Sequence, residues 1–297
     1  MTYSIVGRDR DAGHIGGAVQ TAAFSAGPGG VLWGLPGVGA IATQAFSQRD
    51  YGPIGLAMLE TGRTPEDVVP SLVAFDSLRE VRQVGVIDFH HDPSAFTGGD
   101  CIPEAGHAFG TDCSAQANMM ARPGVPRAMV EAFEATGGDL VSRLLAALDA
   151  AQALGGDFRG MQSAGIVVYG GERGAPEWTS RLVHLKIDDH PAPLDELRRL
   201  CDLTRLYRRW GEPFQRLKDG APDEAVTVAR ELTKRMPDKV EPRIHLAISL
   251  VAAGQPDEAR ELIRDAVARE PRWLMYLDRI IAIAGVDVDP TTFRALL

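Results

Sequence analysis

"TYSIVGRDRDAGHIGGAVQT" (residues 2–21) decides how the chain is read. Tyr3, Ile5 and Val6 alternate with Thr2, Ser4 and Gly7 in a β-rich run, so a strand is expected from the second residue, over 2–8. The run after Gly13 repeats the pattern and predicts a second strand over 14–21. A basic, apolar leader is not recognised ahead of it, and the expectation is a chain that starts directly in its fold. A terminus built into a strand predicts that the end itself is used.

Reading outward, a further strand is expected near 38–45, with "GPGG" before it. Helices follow over 52–62 and 65–75, the second opened by Thr64, Pro65 and Glu66, a helix-start pattern. Strands return over 82–89, 94–97, 106–109 and 112–118, helices over 123–136 and 139–154, and strands over 162–169 and 181–187. Strands, two helices, strands, two helices, strands is the order that buries two sheets between two helical layers. A doubly wound parallel fold would alternate one strand with one helix.

The last hundred residues read differently. "GAPDEAVTVARELTKRMPD" (220–238) is followed by "GQPDEARELIRDAVAREPR" (254–272), with Gly220 and Gly254, Ala225 and Ala259, and Pro237 and Pro271 in register. The 34-residue period resembles the tetratricopeptide repeat, whose copies bury a core only by stacking. The segments from Leu197 to Lys218 and from Arg243 to Ala253 supply the partner helices. Two domains are therefore expected, 1–190 and 191–297, and the repeats are expected to bind a protein partner or mediate self-association.

Charge narrows the partners. Residues 1–190 hold 13 Lys+Arg against 22 Asp+Glu, and residues 191–297 hold 18 of each. An acidic first part argues against nucleic acid, which needs clustered cations. No apolar run approaches a membrane span. Cys101, Cys113 and Cys201 are expected to be free thiols in a reducing compartment, and the location expected is cytoplasmic. "HHDPSAFTGGDCIPEAGHAFGTDC" (90–113) concentrates histidine, cysteine and aspartate, but its ligand spacing is irregular for zinc. No metal and no cofactor are expected. "GHIGGA" and "GPGGV" lack the lysine and following helix of a phosphate loop.

The blocks "TYSIVGRD", "GAVQT", "GVGAIATQAF", "YGPIGL", "RQVGVID", "TGGDC", "AGH", "QANMM", "GGDFRGMQSA" and "DDHPAPLDELRRL" occur in one order. On these, residues 1–190 resemble the domain-of-unknown-function family 1028, grouped with the N-terminal nucleophile hydrolases, whose proteasome-type subunits begin with threonine and a strand. The resemblance implies an α+β, four-layer αββα sandwich and a Thr2 nucleophile exposed by loss of Met1. The chemistry is self-consistent: a free α-amine titrates near about 7.7–8.0 and can take the hydroxyl proton. Ser4 shares the face of Thr2 and is either a polar wall or the reactive group itself.

By position, the resemblance also implies roles for Gln20, where proteasome-type subunits carry aspartate, and for Gln44, after the third long strand near the oxyanion donors. It implies catalytic roles for Asn118, where they carry a helix-opening serine, and for Asp157, which would support the amine. Gln162 and Ser163 open the next strand. Cys101 and His107 belong to the family's "TG…C…AGH" stretch and are expected to line the substrate; Glu104 replaces the usual tryptophan there. Residues 1–185 contain no lysine, whereas proteasome-type sites use a buried one. Arginine cannot share a proton in its place. The expected activity is hydrolysis of a small amide C–N bond. The alternative is a binding or scaffold protein that retains the fold without chemistry.

Overall fold

The computed structural model describes residues 2–295; the expected loss of Met1 falls outside them. The opening stretch forms a hairpin: β1 (Thr2–Asp9) and β2 (His14–Thr21) pair antiparallel, with Thr2 opposite Thr21 and Asp9 opposite His14. Gly13 turns the chain at φ 66°, a left-handed conformation that costs glycine least, and Asp9 accepts the Ala12 N–H at 3.0 Å.

Two antiparallel sheets grow from this start. β8 (Cys113–Asn118) pairs with the free side of β1, and β9 (Ser163–Tyr169) with that of β2. With β7 (Gly106–Phe109) and β10 (Arg181–Ile187) at the edges, the first sheet has the order β10-β9-β2-β1-β8-β7. The second has the order β3-β4-β5-β6, from β3 (Leu32–Leu35), β4 (Gly39–Ala45), β5 (Arg82–Asp88) and β6 (Ser94–Thr97). β3 is not expected from sequence, because its four residues are bracketed by glycine and proline and are too short to show a period.

Helices α1 (Tyr51–Glu60) and α2 (Pro65–Val73) pack on β4 and β5, whereas α3 (Val125–Ala135) and α4 (Leu140–Ala153) pack on β1, β2 and β8. β1 and β2 face β4, and β5 faces β8, so the two sheets lie against each other between the helix pairs. The pleat sorts each strand accordingly. Tyr3 and Ile5 enter a core with Leu144, Leu148 and Phe133 of the helices. Val84 and Val86 meet Leu59, Val68 and Leu72 on the other side. Between the sheets lie Val6, Val19, Ala40, Ala42, Ile87 and Val167.

A short helix, α5 (Glu177–Ser180), precedes β10. Among the described residues, seven helices then follow: α6 (Pro193–Arg208), α7 (Glu212–Lys218), α8 (Pro222–Arg235), α9 (Glu241–Ala252), α10 (Pro256–Arg269), α11 (Trp273–Ala284) and α12 (Pro290–Ala295). α8 and α10 begin 34 residues apart, each behind a glycine at φ 73°. The single helix expected over 197–218 is interrupted after Arg208 by a turn. Ile244, Leu246, Ile248, Ile263 and Leu277 build this region's own core. The chain divides into two compact units between Asp202 and Leu203. The division lies past residue 190 because Leu194, Leu197 and Cys201 belong to the core of the first unit. No helix among the described residues is long and apolar enough to cross a membrane.

Candidate active site

The inter-sheet faces of β1, β4, β5 and β8 change character along their length. Toward the Thr2 end, the inward positions become Thr2, Ser4, Gln44, Gln83, Gln116 and Asn118, all buried. Register brings them together: β1 sets Thr2 opposite Asn118 and Ser4 opposite Gln116, and β4 sets Gln44 opposite Gln83.

Their hydrogen bonds form one connected network. Ser4 Oγ donates to Gln44 Oε1 at 2.6 Å and accepts from Gln116 Nε2 at 2.8 Å. Gln44 Nε2 donates to Gln83 Oε1 at 2.7 Å and to the Thr2 carbonyl at 3.0 Å. Asn118 Nδ2 donates to the same two acceptors, at 3.0 Å to Gln83 and 3.4 Å to Thr2. Gln83 Nε2 donates to Thr97 Oγ1 at 2.9 Å and to the Ala117 carbonyl at 3.0 Å. Thr97 Oγ1 bonds His107 Nδ1 at 2.9 Å, which carries the chain of contacts to an exposed ring. Gly85 makes room for the Gln116 carboxamide, since a Cβ there would lie 2.2 Å from Gln116 Oε1.

The Thr2 hydroxyl donates to Thr21 Oγ1 at 3.2 Å. Thr21 is fixed in turn by the Ala23 N–H at 3.2 Å. Asp157 binds the following residue, accepting from Ala22 N–H at 3.3 Å, while Arg159 pairs with its carboxylate at 2.7 Å. Asp157 therefore clamps the end of β2 to the loop before β9.

Other expected site residues fall elsewhere. Gln20 stands opposite Tyr3, so the pleat turns it toward the helix side, away from Thr2; its carboxamide is buried without a hydrogen-bond partner among the described residues. Ser163 Oγ accepts from Ala26 N–H at 2.9 Å and donates to the Ala23 carbonyl at 2.7 Å, pinning the loop after β2. Gln162 reaches Asp189 at 3.1 Å. Asn118 ends β8 and lies seven residues before α3, so it opens no helix. Sequence reading missed Thr21, Gln83, Thr97 and Gln116. A glutamine at an inward position of a strand was the available signal for Gln83 and Gln116, and only the stacking of the sheets tells which positions are inward.

A cavity of about 490 Å³ opens beside Asn118, walled by Ala45, Phe46, Leu78, Val81, Cys101 and Ile102, with Asp100. The Cys101 thiol donates to the Arg82 carbonyl at 3.3 Å, and burial pushes its pKa up, away from thiolate chemistry. Arg82 pairs with Asp76 at 2.8 Å, holding that carboxyl down to about 2, and lies over the Phe46 ring. Desolvation lowers the pKa of His107, whose ring packs against Phe109. No group of three or more His, Cys, Asp or Glu among the described residues is placed to hold a metal.

The family of unknown function DUF1028 matches residues 2–197, and a tetratricopeptide repeat family matches residues 216–277. Among solved structures, the crystal structure of a Silicibacter pomeroyi protein with the same DUF1028 designation is 35% identical. It has a TM-score of 0.60 and covers 67% of this chain and 87% of its own. No curated protein matches.

Proposed function

Because the chain belongs to DUF1028, a family of unknown function, we propose a function from the site itself: hydrolysis of a small amide-type C–N bond by Thr2. The observation that carries this reading is the placement of Thr2. It is the first residue of β1, its hydroxyl meets another hydroxyl, and its ladder partner Asn118 lines a cavity. The order of helix pair, sheet, sheet and helix pair agrees with an N-terminal nucleophile hydrolase sandwich, and we read it as one.

In the first half-reaction the Thr2 hydroxyl oxygen attacks the amide carbonyl carbon. The hydroxyl proton passes to the freed α-amine, whose pKa suits it to neutral pH. The tetrahedral oxyanion needs hydrogen bonds from fixed donors; Asn118 Nδ2, which holds Gln83 Oε1 at 3.0 Å and the Thr2 carbonyl at 3.4 Å, would supply one by giving up the longer bond. The C–N bond breaks, the leaving nitrogen receives the proton, and the acyl group stays on Thr2 as an ester. Water then adds with the same amine as base, releasing the acid and restoring the hydroxyl. Asp157 contributes position, because its oxygens are already held by Ala22 and Arg159.

One observation favours a second reading, a binding protein without chemistry. The glutamines and Ser4 satisfy one another, and the arginines at the margin, Arg82 and Arg159, are paired. The tetratricopeptide match supports protein contacts by the helical region, with a partner or a second copy. Intact mass and turnover on small amides separate the two. The hydrolase reading expects active protein without Met1, inactive but folded Thr2→Ala, and partial activity in Thr2→Ser. Active protein that retains Met1 refutes it.

A further inference from the structure

We infer that the cavity beside Asn118 receives an apolar acyl group, and that the substrate is an N-acylated amine rather than a carboxylate-bearing amide. The inference rests on the hydrolase reading of Thr2 and adds the substrate class.

The cavity's volume of about 490 Å³ lies in the range of small-molecule sites. Six side chains, from Ala45, Phe46, Leu78, Val81, Cys101 and Ile102, give it carbon and sulfur walls. Phe46, Leu78 and Ile102 leave 67%, 51% and 53% of their surface exposed, which is costly unless something covers them. The amide on the wall is Asn118, the ladder partner of Thr2 on β8; the Thr2 hydroxyl itself meets Thr21 on β2, so an acyl chain carried on Thr2 enters the cavity by passing over Asn118. Charge excludes an anion there. Asp100 is the charged wall residue, and the neighbouring guanidinium of Arg82 is already bound to Asp76 at 2.8 Å and to the Phe46 carbonyl. A neutral acyl chain meets no like charge in the cavity, while a carboxylate carried at the end of that chain would face Asp100.

The reaction is the balanced one given above. The acyl ester keeps its chain in the cavity, the amine leaves with the proton, and water releases the fatty or aryl acid, which Asp100 then disfavours.

The test uses N-acylated butylamines from butanoyl to decanoyl, titrated calorimetrically into full-length Thr2→Ala, and hydrolysis of the same compounds by the wild type. Affinity is expected to rise about threefold to fourfold per methylene until the cavity is filled. Free decanoate should bind more weakly than the decanoyl amide. Ile102→Trp, at a half-exposed position that tolerates it, should weaken the long members and spare the butanoyl one, and Leu78→Trp should repeat the effect. Affinity independent of chain length, preference for the carboxylate, or indifference to both tryptophans overturns the inference. Turnover without chain-length dependence leaves the hydrolase reading standing and removes the apolar subsite. Chain-length-dependent binding to Thr2→Ala with no turnover by the wild type keeps the subsite and removes the hydrolase reading.

Discussion

The layer between the two sheets has an apolar half and an amide-rich half, made by the same strands. β1 contributes Val6 to the first and Ser4 to the second; β5 contributes Ile87 and Gln83 in the same way. Where Val6, Val19, Ala42 and Ile87 meet, burial of carbon is sufficient to hold the sheets together. Where Gln44, Gln83, Gln116 and Asn118 meet, each amide must be satisfied by another, because a buried donor or acceptor left alone is costly. An apolar layer throughout would serve stability as well. The polar half instead fixes the Thr2 carbonyl from two sides, by Gln44 and Asn118, which fits a site that must hold its first strand still.

The largest effect expected is in the apolar half. Ile87→Ala should cost about 2–5 kcal/mol in chemical denaturation, since the residue is fully buried. A loss well below this would mean that the layer repacks and that its two halves differ little in what holds them.

A buried polar group with incomplete partners provides a second comparison. His245 of α9 sits among Trp210, Phe214 and Tyr276; its Nε2 meets Tyr276 Oη at 3.1 Å, while its Nδ1 has no partner among the described residues. Burial lowers its pKa from 6.5 to about 4. The unfolded chain then binds the extra proton between these values, so stability falls as pH drops from about 6.5 to 4 and is fully present above 6.5. The loss is on the order of 3 kcal/mol. His245→Phe should flatten this slope in pH-dependent unfolding of the helical region; an unchanged slope assigns the titration to other groups.

Within the amide network, Gln83→Leu should cost about 2 kcal/mol by orphaning donors on Gln44 and Asn118. Adding Gln44→Leu should cost less than the sum of the two changes, because they share a bond. Additive losses would show that the residues do not act as a network. The smallest effect is at the surface. Thr64 caps α2 with a reciprocal Asp67 bond, and Thr64→Ala should cost about 1 kcal/mol, read as a small shift in midpoint.

Strand and helix positions were largely legible because period-2 and period-3.6 patterns are local. β2 was expected over 14–21 and occupies those residues, and the 34-residue period placed α8 and α10. β3 and the break between α6 and α7 were not legible, since glycine and proline hide a four-residue strand and a turn at Arg209–Gly211 leaves the helical pattern intact. The site was half legible. Thr2, Ser4, Gln44 and Asn118 were named from sequence and converge. Gln20 was expected beside them and faces the opposite side, because its neighbour Thr21, and not Gln20, shares the face of Thr2 across the β1–β2 register. Which face a strand residue serves is a property of the stacked sheets and cannot be read from one strand.

The central claim, that the polar half of the layer is built around a reactive Thr2, is tested most directly by covalent labelling. Wild type, Thr2→Ala and Ser4→Ala are exposed to an alkyl β-lactone and mapped by peptide mass spectrometry. A reactive Thr2 gives one adduct on Thr2 in wild type, none there in Thr2→Ala, and continued Thr2 labelling in Ser4→Ala. Labelling on Ser4 or Cys101 in place of Thr2, or labelled protein that still carries Met1, would contradict it.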